Sequence, residues 1–258
     1  WLNDVDAHAY DQGTGAHVSS NISYLPAGAS AVASDVRTKL REIISVQDFG
    51  AVGDGSNDDT AEIQLAITHS ETLTGGATVY FPQGTYKITA TLAVANLEKP
   101  SFIGAGMRHT VLDWQGANNG TMIKCAGSAS TSGLEFRGFE MKSSTGATGV
   151  TGIQIGETAG NNAFLMMLFE DIIFNAIANG IVLYDQSDEV QVVKNWFFDN
   201  TKGLQGLTPG ATSDSNINII GNHFQSSVAS TAVDIQECSR FLFLGNTVQG
   251  THASLIGF

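Results

Sequence analysis

Proline is nearly absent from this chain, 4 in 258 residues, and cysteine is scarcer still, with only Cys125 and Cys238. Two cysteines build neither a disulfide framework nor a zinc spacing, so both read as small buried hydrophobes and no metal is expected from them. Basic residues are also few: 12 Lys and Arg against 25 Asp and Glu leave a net charge of −13. Binding to nucleic acid rests on basic patches that neutralise phosphates, and none is visible, so nucleic acid is a poor partner and a neutral or cationic ligand fits better. No stretch reaches the ~18 consecutive apolar residues of a membrane span, so membrane insertion is not expected. No cofactor motif stands out either.

Glycine and apolar residues fill the space that these types leave. There are 29 glycines, and 42% of residues are hydrophobic, ample for one large domain or two ordinary ones. From about Gly76 onward, short apolar stretches alternate with Gly, Asn, Ser and Thr clusters, and hardly any segment keeps helical period for three turns. This part of the chain is predicted to be all-β.

A repeat runs through it. VQVVKNWFF from Val190, INIIGNHFQ from Ile217 and FLFLGNTVQ from Phe241 share one pattern of apolar positions around Asn195, Asn222 and Asn246, which are 27 and 24 residues apart. MLFEDIIF and LEFRGFEM fit more loosely, with Ile172 and Phe139 at the Asn position. A second motif keeps step: GIQI, GIVL, GLQG, AVDI and ASLI, led by Ile153, Ile181, Leu204, Val233 and Leu255. Two strand types recurring once per 22 to 33 residues mark a parallel β-helix whose coils stack at ~4.8 Å. Inward asparagines would then hydrogen-bond to the matching amide one coil away and close the turn backbone.

A solenoid leaves an open apolar end that must be covered. In ISVQDFGA, Ile44, Val46 and Phe49 are expected to form a first strand, and GAVGDGSNDD a turn-rich loop with Gly50, Gly53 and Gly55 available for positive φ. Asp58 or Asp59 then caps a helix, TAEIQLAITHS, with Ile63, Ala66 and Ile67 on its apolar face. A calcium site from Asp54, Asp58 and Asp59 is the sharper alternative, but the loop lacks regularly alternating oxygen ligands and a terminal bidentate Glu.

The run DFGAVGDGSNDDTAEIQLAI followed by TVYFPQGTYKI resembles the opening motif of the pectate-lyase-like right-handed β-helix superfamily of polysaccharide lyases, glycoside hydrolases and bacteriophage tailspikes. WLNDVDAHAYDQGTG and ISYLPAGASAVASDVRTKLREIISVQDFG, upstream, resemble the neck of phage tailspikes and tail-fibre depolymerases. The resemblance implies a right-handed single-stranded parallel β-helix with an N-terminal capping helix. Residues 1–44 would be the neck, 45–75 the first strand, loop and helix, and 76–258 the coils, as a portion of a longer spike. It also implies a homotrimer on the virion tail that joins other tail proteins through its N-terminal region, recognises bacterial capsular or O-antigen polysaccharide, and usually cleaves it.

Glycoside hydrolysis uses two carboxyls across the scissile bond, about 5 Å apart for retention and ~6.5 to 9.5 Å for inversion. Two residues past the second motif stand Glu157, Asp185 and Glu237, so Glu157 and Asp185 would be ~4.8 Å apart and Asp185 and Glu237 ~9.6 Å. Asp234 is a fourth candidate, and the bland reading of all four is solvated turn carboxylates. Trp196 and His223, outward after the asparagines, could form a platform for sugar rings. Val193, Ile220 and Leu244, expected on the same face, look more like a subunit contact. Five arginines and no Gly-His-Gly argue against pectin chemistry, and hydrolase against lyase is undecided. Three readings remain: a tailspike depolymerase, a non-catalytic spike or adaptor segment, and a secreted polysaccharide-degrading enzyme.

Overall fold

The computed structural model describes residues 22–26, 30–73, 75, 77–95, 101–126, 131–157, 163–184, 186–207, 215–235 and 238–257. The chain divides into two compact units, 1–43 and 44–258. In the first, two-residue strands Ser23–Tyr24 and Ser34–Asp35 pair antiparallel and lead into a five-residue helix, Val36–Leu40. Asp35 caps it by accepting from the Thr38 N–H at 2.8 Å, and the helix buries no residue. Residues 1–21 and 27–29 of the expected neck lie outside the described residues.

The second unit is a right-handed parallel β-helix. Its strands fall into three parallel ladders. The first stacks Thr78–Phe81 and Ser101–Gly104 on the start of Glu135–Lys142, the middle of Ala163–Asn175, then Gln186–Val193, Ser215–Ile220 and Phe241–Leu244. The second joins Gly84–Ile88 and Thr110–Trp114 to the ends of Glu135–Lys142 and Ala163–Asn175, then Trp196–Phe198 and the starts of His223–Ile235 and Thr247–Gly257. The third runs through Leu92–Val94, Thr121–Cys125, Thr151–Ile155, Asn179–Tyr184, Lys202–Leu207 and the ends of the last two strands. Side chains alternate in and out along each strand, so one face of each ladder closes on a shared core.

Stacked aromatics fill that core. Phe102, Phe136 and Phe169 lie ring on ring at 4.9 and 5.5 Å in the first ladder, and Phe174, Phe197 and Phe224 at 4.9 and 4.7 Å in the second. The second stack has room because the third-ladder motif begins with glycine: a Cβ on Gly180 would sit 2.8 Å from the Phe197 ring and 2.6 Å from the Gly203 carbonyl. The repeated glycine is therefore a packing requirement rather than a turn.

At the corner between the first and second ladders the asparagines form a ladder, buried at Asn195 and Asn222 and half-buried at Asn246. Asn195 Nδ2 donates to Asn222 Oδ1 at 3.1 Å, and Asn222 Nδ2 to Asn246 Oδ1 at 3.0 Å. Each amide also donates to the backbone of the preceding coil, at Phe169, Val192 and Ile219. The residue before each asparagine turns the chain with positive φ: Lys194 at 55°, Gly221 at 66° and Gly245 at 64°.

Several details depart from the sequence reading. The first strand ends at Ser45, whose hydroxyl accepts from the Gln47 N–H, and Val46–Phe49 is a 3-10 turn closed by Gly50 at φ 102°. Asp54–Asp58, expected to be loop, is a strand beside Gly84–Ile88. The helix spans Thr60–Ser70 and buries Ile63, Ala66 and Ile67. Asp58 Oδ1 accepts from the Thr60 N–H at 3.1 Å, whereas buried Asp59 accepts from the N–H groups of Val52 at 2.6 Å and Gly53 at 3.2 Å. The aspartates thus hold separate pieces of backbone, and no cluster of three metal-ligating side chains occurs among the described residues. Ile256, not Leu255, pairs with Val233, because two register shifts near Ser230 displace the last strand. Cys125 is buried as expected, but Cys238 is half-buried, its Sγ 2.9 Å from the Arg240 carbonyl.

Candidate functional site

Two outward surfaces carry side chains suited to holding a ligand. On the second ladder Trp196 pairs with His223 of the next coil, so their side chains leave the sheet side by side. Trp196 is 42% exposed, and its ring centroid is 5.6 Å from His223 and 5.5 Å from Phe198. His223 Nε2 lies 3.4 Å from Gln225 Oε1. Indole, imidazole and phenyl make a ledge with a polar edge. One coil back in the same column Ile173 is buried, and beyond it stands Glu140, a buried carboxylate that accepts from Asn175 Nδ2 at 2.8 Å. Glu140 was missed because its motif position holds no acid in the other coils.

Val193, Ile220 and Leu244 do stack in one outward column, but they belong to the first ladder. The positive-φ corner at Lys194, Gly221 and Gly245 lies between them and the Trp196 ledge, so the two features occupy different faces. That corner is hard to read from sequence where Lys rather than Gly makes the turn.

The second surface, a cleft of about 500 Å³, lies farther along the outer face of the first ladder. One wall is the column Leu168, Gln191 and Asn218, successive partners in register. Beside it run Met166, Glu189 and Asn216, each at positive φ, and Arg240 closes one end. Asn216 is fixed from both sides: its Oδ1 accepts from Arg240 Nη1 at 3.3 Å and its Nδ2 donates to Asp188 Oδ1 at 3.1 Å. The repeat pattern left the positions of Gln191 and Asn218 free, so the motif did not reveal the cleft.

Two of the four candidate carboxylates, Glu157 and Asp234, fall among the described residues, and a lysine engages each of them. Glu157 is exposed and ion-paired with Lys124 at 2.6 Å. Asp234 is ion-paired with Lys202 at 2.6 Å and accepts from Gln205 Nε2 at 3.3 Å. Asp185 and Glu237 lie outside the described residues. Glu157 and Asp234 are thus each held in an ion pair with a lysine.

Residues 43–255 match the rhamnogalacturonase A/epimerase, pectate lyase-like family. The chain belongs to this family. Among curated proteins, mannuronan C5-epimerase AlgE3 of Azotobacter vinelandii is 42% identical over 79 residues, 26% of this chain and 4% of the epimerase. Among solved structures, ORF18 of Geobacillus virus E2 superposes with a TM-score of 0.53 and 15% identity, over 86% of this chain and 63% of that one. A tailspike protein mutant of E. coli bacteriophage HK620, in complex with pentasaccharide, superposes with a TM-score of 0.58 and 13% identity, over 92% and 45%. At these identities the solved structures show the fold alone. The chain spans less than two thirds of each of these proteins. A pectate lyase-like β-helix of the kind found in phage tailspikes is thus established.

Proposed function

We propose that this pectate lyase-like β-helix is part of a bacteriophage tailspike that binds bacterial surface polysaccharide, capsular or O-antigen, as a homotrimer on the virion tail. The observation that carries the reading is the exposed ledge of Trp196 beside Phe198 and His223. Pyranose rings have an apolar face that stacks on indole, and the ledge's polar edge can hold the hydroxyls around it. Likeness to a tailspike that holds a pentasaccharide supports the same use of the fold here. The apolar column of Val193, Ile220 and Leu244, with Leu244 57% exposed, is the surface we assign to contact between copies. Other tail proteins are reached through residues upstream of the β-helix.

The ion pairing of Glu157 and Asp234 favours recognition over cleavage for the described residues. Cleavage by this portion would rest on Asp185 and Glu237. The test is to incubate the chain and its full-length parent with purified capsular and O-antigen polysaccharides, following retention, chain length, reducing ends and unsaturated uronates. Retention without cleavage by the chain is expected. Absence of retention by both proteins would refute the reading.

A further inference from the structure

We infer that the cleft on the first ladder is a subsite for a neutral N-acetylated amino sugar. The inference rests on the polysaccharide-binding reading and names a substrate class for a surface separate from the Trp196 ledge.

The side-chain amides of Gln191 and Asn218 are partly buried, lie on adjacent coils ~4.8 Å apart, and have no hydrogen-bond partner among the described residues. Two nearby sets of amides are tied up by contrast: Asn195, Asn222 and Asn246 bond to one another, and Asn216 bridges Arg240 and Asp188. Two stacked primary amides left open offer a donor and an acceptor each. An acetamido group presents one N–H and one carbonyl on opposite sides and can satisfy both. A hydroxyl in its place reaches only one.

The rest of the cleft suits the acetyl methyl. Leu168 sits directly behind Gln191 in the same column, and Met166, 54% exposed, flanks it. A thioether and an isobutyl group make an adaptable apolar seat. Charge points to a neutral sugar. Glu189 and Arg240 offset one another at the cleft, and a chain with net charge −13 repels polyanions at long range.

The test uses two tetrasaccharides that differ chiefly in the 2-substituent: chitotetraose, built from N-acetylglucosamine, and cellotetraose, built from glucose. With methionine methyls labelled, titration of each into the intact chain is followed at the Met166 methyl resonance. Chitotetraose is expected to shift that resonance and to bind at least fivefold tighter than cellotetraose. Gln191→Ala with Asn218→Ala should abolish the preference while leaving the melting temperature unchanged. Asn218→Asp, which keeps the shape but removes the donor, should weaken chitotetraose by a similar factor. Equal binding of the two sugars, a preference that survives the double substitution, or a Met166 methyl that does not move would each overturn the inference. Retention of bacterial polysaccharide through Trp196 alone would sink the cleft and leave the proposed function standing. Loss of all polysaccharide retention would sink the function itself.

Discussion

Asn222 holds its neighbour from both ends: its Oδ1 accepts the Asn195 backbone N–H at 2.8 Å and the Asn195 side-chain amide at 3.1 Å. Its own Nδ2 reaches the Val192 carbonyl at 2.7 Å and Asn246 Oδ1 at 3.0 Å, so one buried amide closes two successive corners. Replacing it with leucine leaves several buried groups unpaired at once. Each such loss costs about 1–3 kcal/mol, so Asn222→Leu should destabilise by about 3 kcal/mol or more. Chemical denaturation would measure this, and an unchanged midpoint would show that the ladder contributes nothing to stability.

Gly180 makes a second, steric prediction. A methyl there meets the Gly203 carbonyl at 2.6 Å and the Phe197 ring at 2.8 Å, and backbone cannot move aside cheaply. Gly180→Ala should cost about 1–3 kcal/mol through overpacking. Combined with Phe197→Leu, which vacates part of the contact, the two costs should add to less than their sum. Strict additivity would mean that ring and glycine are not coupled.

The asparagine ladder was legible in the sequence because a polar residue recurs at an inward position among apolar ones. The opening helix was legible for a similar reason, since an acidic turn leads into an apolar periodicity. The pairing of Gly152, Gly180 and Gly203 with the phenylalanine stack was not, because the partners sit on different ladders. Nor was the separation of the Val193 column from Trp196, which depends on Lys194 adopting a backbone conformation usually left to glycine. Gln191 and Asn218 escaped notice for the opposite reason to the asparagines: they face outward, where a solenoid tolerates any residue.

Asp59 links pH to the capped end of the β-helix. Burial raises its pKa above the ordinary 3.8, against the opposing effect of the Val52 and Gly53 N–H groups. The folded form therefore holds the proton more tightly than the unfolded chain, so this group's contribution to stability falls as pH rises from about 3.8 through the raised value. Asp59→Asn removes that titration. The stability of wild type relative to the variant should decline across this window and level off above it, which thermal melts at a series of pH values would show. A pH-independent difference would mean that the folded structure does not perturb Asp59.

The proposed trimer can be probed at Ile220. It lies between Val193 and Leu244 in the outward column, and a carboxylate there would have to be desolvated in any apolar contact between copies. Ile220→Asp should convert a trimer to monomers in sedimentation while the β-helix stays folded. An intact trimer would move the contact to another face.

Trp196 tests recognition separately from stability. Its ring is 42% exposed, so truncation removes little from the core, and Trp196→Ala should leave the melting temperature nearly unchanged. Loss of a stacked sugar ring, by contrast, removes contact made only in the complex. Taking aromatic stacking at about 0.5–1.5 kcal/mol beyond area burial, and the lost apolar area on top, polysaccharide retention should weaken by about tenfold or more. Glu157→Gln and Asp234→Asn should have no comparable effect, since both carboxylates are engaged by lysines. Were the acids to matter and the tryptophan not, the binding surface would be the outward face of the third ladder.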